Sequence, residues 1–596
     1  MSHAFISRFR LGLIVLGILA AFGIAIGRLY FLHVHEQDRL QQIVNQNRSR
    51  SDIIHSRRGN IVDAKGNLLA ATRSTIELGV DPHSFDATST PKLRELSVLL
   101  NLPLEPLREA CSKKYIKGDY PGGMRAVRWK KLADHVDEVV YEKVKALKIK
   151  GIYGNRRFER VYPGGDLAAH VLGFVNKEDT AVTGVERYMD FYLRGQNGWR
   201  ESEKDGLRRE MAHFRRREVA PTNGLDIELT LDQFVQHIIE EELERLNEVY
   251  APKAATIIVS EPATGSILGL ANTPSFDPNT FWEFPVDSHR NRAVTDLFEP
   301  GSTFKIVPAS AALNEELVKP DDIFDADVKE LLYQGRRVSL PRDHHDFGLL
   351  SVREIVVKSS NRGAAYLGML LGEERLYNYA RQFGFGEFAG YHSDGEVRGI
   401  LHPVKNWDGL TITRMPMGHA VSATPLQIHY AFSVIANRGV LMQPQLIRRV
   451  FDVERGTVLT FKPTPRRRVI SMRTAQVMTQ FLSEVVGSEG TAQQAHIPGF
   501  VIAGKTGTSQ KIVEGRYSNQ HHIASFAGFF PADRPELLIS VVVDEPQCSG
   551  VGYGGRVAAP VFRRVAERLI QYKGIQPFSQ SDNALVWEGG HFDGLR

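Results

Sequence analysis

Cysteine is almost absent from this chain of 596 residues, which contains only Cys111 and Cys548. Two cysteines so far apart do not make the disulfide framework of a small secreted domain, and we expect no bridge between them. The chain also lacks an excess of one charge, since 74 Lys and Arg residues stand against 69 Asp and Glu residues, a net charge of +5. This balance gives no indication of nucleic-acid binding. A chain of this length is too long for one hydrophobic core, so two or more domains are expected.

One long apolar stretch stands out, over residues 11–27. As a helix it spans roughly 25 Å, and Arg28 can extend its side chain to the surface so that the span approaches a bilayer core of about 30 Å. Arg8 and Arg10 precede the stretch, which places the N-terminus in the cytoplasm. The alternative is a cleaved signal peptide, but no clear small-x-small cleavage site ends the stretch. We predict a cytoplasmic tail over residues 1–10, a transmembrane anchor over residues 11–33, and the remainder outside the cytoplasmic membrane.

Side chains that bind metals are present but poorly arranged. Two histidine pairs occur, His344-His345 and His521-His522. Adjacent residues of a strand point to opposite faces, so neither pair is a good chelate. We predict no metal site and no other cofactor.

Three short strings in a fixed order carry most of the functional information: Ser302-Thr-Phe-Lys305, Ser359-Ser-Asn361 and Lys505-Thr-Gly-Thr508. Each string alone is common on solvated helix faces or in ordinary turns. In this order they form the motif set of a serine acyl-transfer site. A second Ser-x-Asn string, Ser581-Asp582-Asn583, follows the third motif, and we interpret it as part of a polar tail.

The first motif predicts a nucleophile and its base. Ser302 opens an apolar stretch typical of a buried helix, in which Pro308 is expected to cause a kink. Lys305 lies one helical turn after Ser302, so that its amine can reach the serine hydroxyl. A neutral lysine can activate the serine, but keeping it neutral at pH 7 costs roughly 4–5 kcal/mol relative to an ordinary pKa of about 10.4. Burial and a second cation, for which Lys505 is the candidate, both lower that pKa.

The other two motifs predict the groups that hold the substrate. Ser359 can relay a proton to the leaving amine, and Asn361 can bind the substrate amide through its carboxamide. Lys505 with Thr506 and Thr508 suits a substrate carboxylate, and Gly507 permits close approach of the substrate backbone. The backbone N–H groups of Ser302 and Thr508 are the expected oxyanion hole.

The rest of the chain divides into two parts. Residues 36–225 mix short strand, helix and turn patterns without a catalytic constellation, and we interpret them as a spacer that holds the site above the membrane. Strands are predicted there at residues 52–55 and 61–62, and a helix over residues 130–147.

A second domain is placed at residues 226–575, followed by a polar C-terminal tail at 576–596. Its pattern is a Glu-rich amphipathic helix, a hairpin, two further strands and a closing helix, at residues 233–250, 255–260 with 266–271, 523–529, 537–543 and 559–572. Strands at both ends with helices between them predict an α+β fold, with an antiparallel sheet flanked by helices.

Several segments, together with the three motifs, resemble class B penicillin-binding proteins of the division-specific type. They are Arg58-Gly-Asn-Ile-Val-Asp-Ala-Lys-Gly-Asn-Leu-Leu-Ala70, His170-Val-Leu-Gly-Phe-Val175, Gly184-Val-Glu-Arg187, Arg290-Asn-Arg292, Phe298-Glu-Pro-Gly-Ser302, Thr424-Pro-Leu-Gln427 and Lys505-Thr-Gly-Thr-Ser-Gln-Lys511. The elongation type of the family usually has Asp at the position of Asn361, and Lys-Ser-Gly as its third motif. The chain departs from the family at Gly418-His419-Ala420, where Gly-Tyr-Gly is more common.

This resemblance implies a single membrane-anchored chain with an elongated pedestal (dimerisation-type) domain and a penicillin-binding transpeptidase domain that packs the serine helix against the sheet. It implies a D,D-transpeptidase that attacks the D-Ala-D-Ala amide of a peptidoglycan stem peptide with Ser302 and cross-links two stems in septal wall synthesis. β-Lactams would acylate the same serine. An inner-membrane location, a periplasmic catalytic domain, and an FtsW-type glycosyltransferase and other division proteins as partners also follow from the resemblance.

Three alternatives stay open at this point. The first is an elongation-type transpeptidase. The second is a D,D-carboxypeptidase or β-lactamase-like hydrolase, for which Glu373-Glu-Arg-Leu376-Tyr377 is a near match to the Glu-x-x-Leu-Asn string of class A lactamases. The third is a non-catalytic scaffold that binds β-lactams.

Overall fold

The computed structural model describes residues 8–40, 49–86, 89–117, 124–204, 210–548 and 550–577. By their contacts, the residues form two compact units. One comprises residues 1–57 and 194–224, and the other comprises residues 58–193 and 225–596. The second Ser-x-Asn string, at 581–583, lies outside the described residues, as does nearly all of the predicted C-terminal tail.

The first unit contains the predicted anchor. An α-helix, Arg8–Tyr30, continues as a π-helical turn, Phe31–His35. The helical span Phe9–His35 contains an 18-residue window with a mean hydropathy of 2.4 and no buried residues, so it is long and apolar enough to cross a membrane. The same unit has an antiparallel sheet of three strands, Ser49–Ile54, Gly198–Lys204 and Glu210–Val219.

The second unit is built on two sheets, of which the larger has seven strands. It joins residues that are far apart in sequence, because the short strand Asp226–Leu229 pairs with Ile61–Val62 on one side and with Ile447–Asp452 on the other. Its strands are Gly456–Thr460, Ile447–Asp452, Asp226–Leu229, Ile61–Val62, Leu68–Val80, Lys130–Val136 and Ile152–Val161.

A small core covers part of this sheet. Leu78 and Val80 of the long strand pack with Leu93, Leu96 and Leu107. The helices that carry this core are Lys92–Leu100, Leu104–Cys111 and Glu138–Ala146.

The helix predicted over residues 130–147 is wrong in its first half. Residues Lys130–Val136 form a strand because they pair with Leu68–Val80, and only Glu138–Ala146 is helical. The helix begins where the Asp137 carboxylate accepts a hydrogen bond from the Val139 N–H, a typical N-cap.

The five-stranded antiparallel sheet carries the third motif. Its order is Ser266–Thr273, Ala254–Glu261, Leu537–Asp544, Arg516–Phe530 and Ala503–Val513. Neighbouring residues of a strand face opposite sides, and accordingly Ile257 and Ile258 belong to two different cores. The core around Ile257 is covered by the helices Gln233–Tyr250 and Gly554–Lys573. The core around Ile258 includes the helices Ile306–Asn314 and Pro425–Ala436.

This arrangement confirms the predicted α+β fold with an antiparallel sheet flanked by helices. The predicted helix 233–250, the hairpin, the two late strands and the closing helix all occur. Further helices on the serine side are Val352–Val357, Asn361–Leu371, Glu373–Gln382, Thr411–Arg414 and Met472–Val486. Short two-stranded sheets are formed by Ile323–Asp325 with Leu349–Ser351, Glu330–Tyr333 with Arg336–Ser339, Ile400–Leu401 with Val421–Ser422, and Val440–Met442 with Pro465–Arg468.

Candidate active site

The serine motif forms a tight helical turn. Gly301–Lys305 is a 3-10 helix, and a regular α-helix, Ile306–Asn314, begins directly after it. A 3-10 helix has three residues per turn, so residues three apart lie directly above one another. Ser302 and Lys305 are therefore better aligned than in the α-helix expected from the sequence. Pro308 falls in the first turn of the α-helix, where its missing N–H has no intrahelical partner to lose.

The Lys305 amine connects the first motif to the second. Its Nζ donates to the Ser359 carbonyl at 2.5 Å, to the Asn361 Oδ1 at 2.8 Å and to the Ser359 Oγ at 3.2 Å. Lys305 is 1% exposed. Among the residues that the structure describes, the half-buried Ser302 hydroxyl forms no hydrogen bond, so the amine is bound to the second motif and not to the nucleophile.

The third motif lies on the outermost strand of the five-stranded sheet, next to the serine turn. A Cβ on Gly507 would lie 2.9 Å from the Thr303 Cγ2 and 2.4 Å from the Ser525 Oγ. Glycine at this position therefore lets the strand pack against the serine turn, whereas the sequence analysis assigned it to the approach of substrate.

Lys505 is completely buried beside this turn, and its Nζ donates to the Thr506 carbonyl at 3.3 Å. Burial lowers the Lys505 pKa to about 7. The Lys305 pKa lies well below its ordinary value, first because of burial and then because of the charge of Lys505, and Asp343 opposes the shift. Two buried amines that repel each other favour the neutral form of one of them, which is what a lysine general base requires.

The two threonines of the third motif have protein partners. The Thr506 Oγ1 lies 2.8 Å from the Thr491 Oγ1, and the Thr508 Oγ1 accepts a hydrogen bond from the Gly554 N–H at 3.1 Å. Gly554 is the first residue of the helix Gly554–Lys573. The predicted role of both hydroxyls in binding a substrate carboxylate stays a prediction.

The second motif has an unusual backbone. Ser359 adopts φ +63°, the left-handed region that costs most residues about 1–2 kcal/mol. Ser360 follows as the N-cap of Asn361–Leu371, and its Oγ accepts from the Gly363 N–H at 2.9 Å. The loop that contains His344-His345, which the sequence analysis considered only for metal binding, forms hydrogen bonds with this segment.

Two residues of that loop make the contacts. The Asp343 carboxylate accepts from the Ser360 hydroxyl at 2.7 Å and, through a short contact, from the Asn361 N–H. The Arg342 carbonyl accepts from the Asn361 Nδ2 at 2.9 Å. The sequence analysis missed both residues, and the one local signal was Ser360 itself, a polar residue at a helix N-cap that needs partners.

The departure at Gly418-His419-Ala420 lies against the serine turn. The Gly418 carbonyl accepts from the Gly301 N–H at 3.2 Å, and the Glu299 Oε1 accepts from the Ala420 N–H at 2.9 Å. Ala420 adopts φ +59°, where the family more often has glycine. The departure therefore lies in the wall next to the nucleophile.

Metal binding finds no support in the described ranges, where no group of three or more His, Cys, Asp or Glu side chains is placed to hold an ion. The His521 Nδ1–H donates to the Glu545 carboxylate at 2.8 Å, and the His345 ring lies against the Phe347 ring at a tilt of 53°.

Comparison with known proteins identifies the family. Residues 255–567 match the penicillin-binding protein transpeptidase domain, and residues 53–229 match the penicillin-binding protein dimerisation domain. The chain is a penicillin-binding protein. The resemblance to this family, and the prediction of a transpeptidase-type enzyme, are confirmed.

Relatives of this penicillin-binding protein match over nearly its whole length. It is 33% identical to Stage V sporulation protein D of Bacillus subtilis over 92% of this chain and 83% of that protein. It is 28% identical to the peptidoglycan D,D-transpeptidase FtsI of Escherichia coli over 96% of this chain and 94% of that protein. The crystal structure of penicillin-binding protein 3 from Mycobacterium tuberculosis, complexed with aztreonam, has a TM-score of 0.66 at 26% identity and covers 89% of this chain and 98% of that chain.

Proposed function

We propose that this penicillin-binding protein is a peptidoglycan D,D-transpeptidase that forms its acyl-enzyme at Ser302. The observation that carries the proposal is the buried Lys305 amine, which lies one 3-10 turn from Ser302 and bonds to both ends of the second motif. A relative of similar length, FtsI of Escherichia coli, is named for this activity.

In the acylation step, the neutral Lys305 amine takes the proton of the Ser302 hydroxyl while the oxygen attacks the carbonyl of the D-Ala-D-Ala amide. The tetrahedral intermediate places its oxyanion between the backbone N–H groups of Ser302 and Thr508. The amide C–N bond then breaks. The terminal D-Ala leaves with a proton delivered through Ser359 or Lys505, and the donor stem remains as an ester on Ser302.

In the second step, the amine of a neighbouring stem attacks this ester. Its proton passes to the Lys305 amine and from there to the Ser302 oxygen as the C–O bond to Ser302 breaks, and a new amide joins the two stems. Before the first step, Asn361 binds the amide of the donor, and Lys505 with Thr506 and Thr508 receives the carboxylate of its terminal D-Ala. A β-lactam resembles the D-Ala-D-Ala end and acylates Ser302 by the first step alone.

The proposed activity also assigns a role to each part of the chain. The helix Arg8–Tyr30 anchors the chain in the inner membrane with residues 1–10 in the cytoplasm, because Arg8 and Arg10 precede the apolar span. Residues 36–225 form the pedestal and residues 226–575 the transpeptidase domain in the periplasm. We assign the enzyme to septal wall synthesis, beside an FtsW-type glycosyltransferase and other division proteins.

Mass spectrometry of the penicillin adduct tests the acyl-enzyme. The full chain should gain one penicilloyl group on the peptide that contains Ser302, and Ser302→Ala should lose labelling by a fluorescent penicillin while its melting temperature barely changes. Ser310→Ala is the matched control, since Ser310 is fully buried on the α-helix that follows the serine turn and its hydroxyl has no hydrogen-bond partner within the described part of the chain. Covalent labelling of Ser302→Ala would rule out Ser302 as the nucleophile.

Two further measurements separate the alternatives. Release of the penicilloyl group within seconds would indicate a β-lactamase-like hydrolase, and labelling without cross-linking of stem-peptide donors and acceptors would indicate a scaffold. A fluorescent fusion that spreads along the side wall, instead of gathering at the septum, would favour the elongation type.

A further inference from the structure

The second motif is held by two side chains from other segments of the chain, Lys305 and Asp343. The Lys305 Nζ donates to the Ser359 carbonyl and to the Asn361 Oδ1. Asp343 accepts from the Ser360 hydroxyl and the Asn361 N–H. Lys305 thus bonds to the Ser359 backbone and the Asn361 side chain, and Asp343 bonds to the Ser360 side chain and the Asn361 backbone.

Asp343 bonds to a segment whose backbone is strained. Ser359 is in the left-handed region at φ +63°, a conformation that persists only where surrounding contacts impose it. Ser360 is completely buried, and its hydroxyl has two partners, the Gly363 N–H and the Asp343 Oδ2. Without the carboxylate, the Ser360 O–H and the Asn361 N–H would lose their acceptors together.

We propose that Asp343 is a positioning residue of the acylation step, which fixes Ser359 and Asn361 against Lys305. Its negative charge has an additional electrostatic effect on the Lys305 amine. This role rests on the proposed function of Ser302 and Lys305, and it assigns a task to a residue that lies outside the three motifs.

The charges around Lys305 support the electrostatic part. The positive amine of Lys505 approaches from the strand Ala503–Val513, and His419 lies on the segment beside the serine turn. Ser359 and Asn361, on the remaining side, are neutral. Within the described part of the chain, Asp343 is the negative group that acts on this amine, and it raises the Lys305 pKa while burial and Lys505 lower it.

The sign of the effect follows directly. Acylation needs the neutral amine, so its rate rises as the pH passes upward through the Lys305 pKa. Removing the charge of Asp343 lowers that pKa further, and the rise moves to lower pH. Asparagine also replaces the oxygen that accepts from the Ser360 hydroxyl with an NH2 group, which loosens Asn361 and Ser359, so the maximal rate falls.

The test is the pH profile of penicillin acylation by the full chain in detergent, with Asp343→Asn and Asp343→Glu as variants. Asparagine keeps the shape and can still accept from the Asn361 N–H, but it carries no charge. For Asp343→Asn we expect a maximal second-order rate constant lower by roughly tenfold or more, and a rise at lower pH than in the wild type. For Asp343→Glu, which keeps the charge, the rise should stay at the wild-type pH even though the rate falls.

Asp346→Asn is the matched control. Asp346 lies in the same loop, but it is 76% exposed and bonds to Arg362 at 3.3 Å instead of to the motif. The number of penicillin-reactive sites per chain is measured for each variant, so that a loss of folded protein is separated from a slower rate per site.

Two results would overturn the inference. If Asp343→Asn matches Asp346→Asn in both rate per site and pH profile, Asp343 has no positioning role. If it loses reactive sites while the remaining sites keep the wild-type rate and profile, its role is confined to folding. A wild-type chain that does not react with penicillin would instead refute the proposed function, and the two failures are therefore distinguishable.

Discussion

Replacing Lys505 with methionine should make the protein more stable while it removes acylation. Lys505 is completely buried, and its two hydrogen bonds are long, at 3.3 Å and 3.5 Å to Thr506. Burial lowers its pKa from 10.5 to about 7. At about 1.36 kcal/mol for each tenfold change in proton affinity, this difference corresponds to about 5 kcal/mol of native-state stability, which sets the upper limit of the gain.

The pH dependence follows from the sign of the shift. The folded protein binds this proton less tightly than the unfolded chain does, so protonation favours unfolding. The destabilisation by Lys505 is complete below about pH 7, shrinks as the pH rises from about 7 toward 10.5, and is absent above that. The stability gained by Lys505→Met should therefore be largest in acid and neutral buffer, and it should disappear in strongly alkaline buffer.

Calorimetric melting of the full chain in detergent at pH 6 and pH 10 measures both effects. The control is Lys511→Met on the same strand, Ala503–Val513. Burial alone would lower the Lys511 pKa, but hydrogen bonds to Asp544 and Glu545 raise it, so its removal should lower the melting temperature. The reasoning fails if Lys505→Met melts below the wild type at pH 6, or if its gain is the same at both pH values.

Two other substitutions test the walls of the site. Gly418→Ala should lower the free energy of unfolding by about 1–3 kcal/mol and slow acylation, because Gly418 has φ +86° and a Cβ there would lie 2.0 Å from the Gly301 carbonyl oxygen. The melting temperature measures the loss of stability, and Gly409→Ala, where a Cβ meets no atom within 4 Å, is the control. Ser359→Ala should slow penicillin acylation by about a hundredfold in stopped-flow measurements with an unchanged number of reactive sites, whereas an unchanged rate would assign the proton relay to Lys505.

Strong local periodicity explains which elements could be predicted from the sequence. The helix Gln233–Tyr250 was predicted with its correct ends because apolar residues recur at helical spacing behind Asp232, whose side chain accepts from the Phe234 N–H. The seven-stranded sheet could not be predicted, since its pairing of Asp226–Leu229 with Ile61–Val62 depends on contacts between distant residues. Another pairing between distant residues, with Leu68–Val80, makes Lys130–Val136 a strand within a pattern that favours a helix.

The site shows the same division. The order of the three motifs predicts which side chains meet. The burial and the lowered pKa of Lys305 and Lys505 agree with the chemical need for a neutral amine. The contribution of Asp343 could not be predicted, because a loop sixteen or more residues before the second motif carries no periodic signal. The 3-10 form of the serine turn was also missed, since its packing against Gly507 is set by the neighbouring strand.

The three contacts of the Lys305 amine explain how the second motif can direct the base. A protonated lysine has three N–H donors and no lone pair, and the structure supplies three oxygens: the Ser359 carbonyl, the Asn361 Oδ1 and the Ser359 Oγ. A neutral amine keeps two donors. Two of the oxygens are carbonyl oxygens that can only accept, so they retain the two N–H groups, and the lone pair must face a group that can donate. That group is a hydroxyl, either Ser359 Oγ at 3.2 Å or the Ser302 hydroxyl one turn away. A protonated Lys305 would donate to all three oxygens and would have no lone pair with which to accept the serine proton. Transfer of the Ser302 proton therefore requires both the lowered pKa of Lys305 and the placement of Asn361.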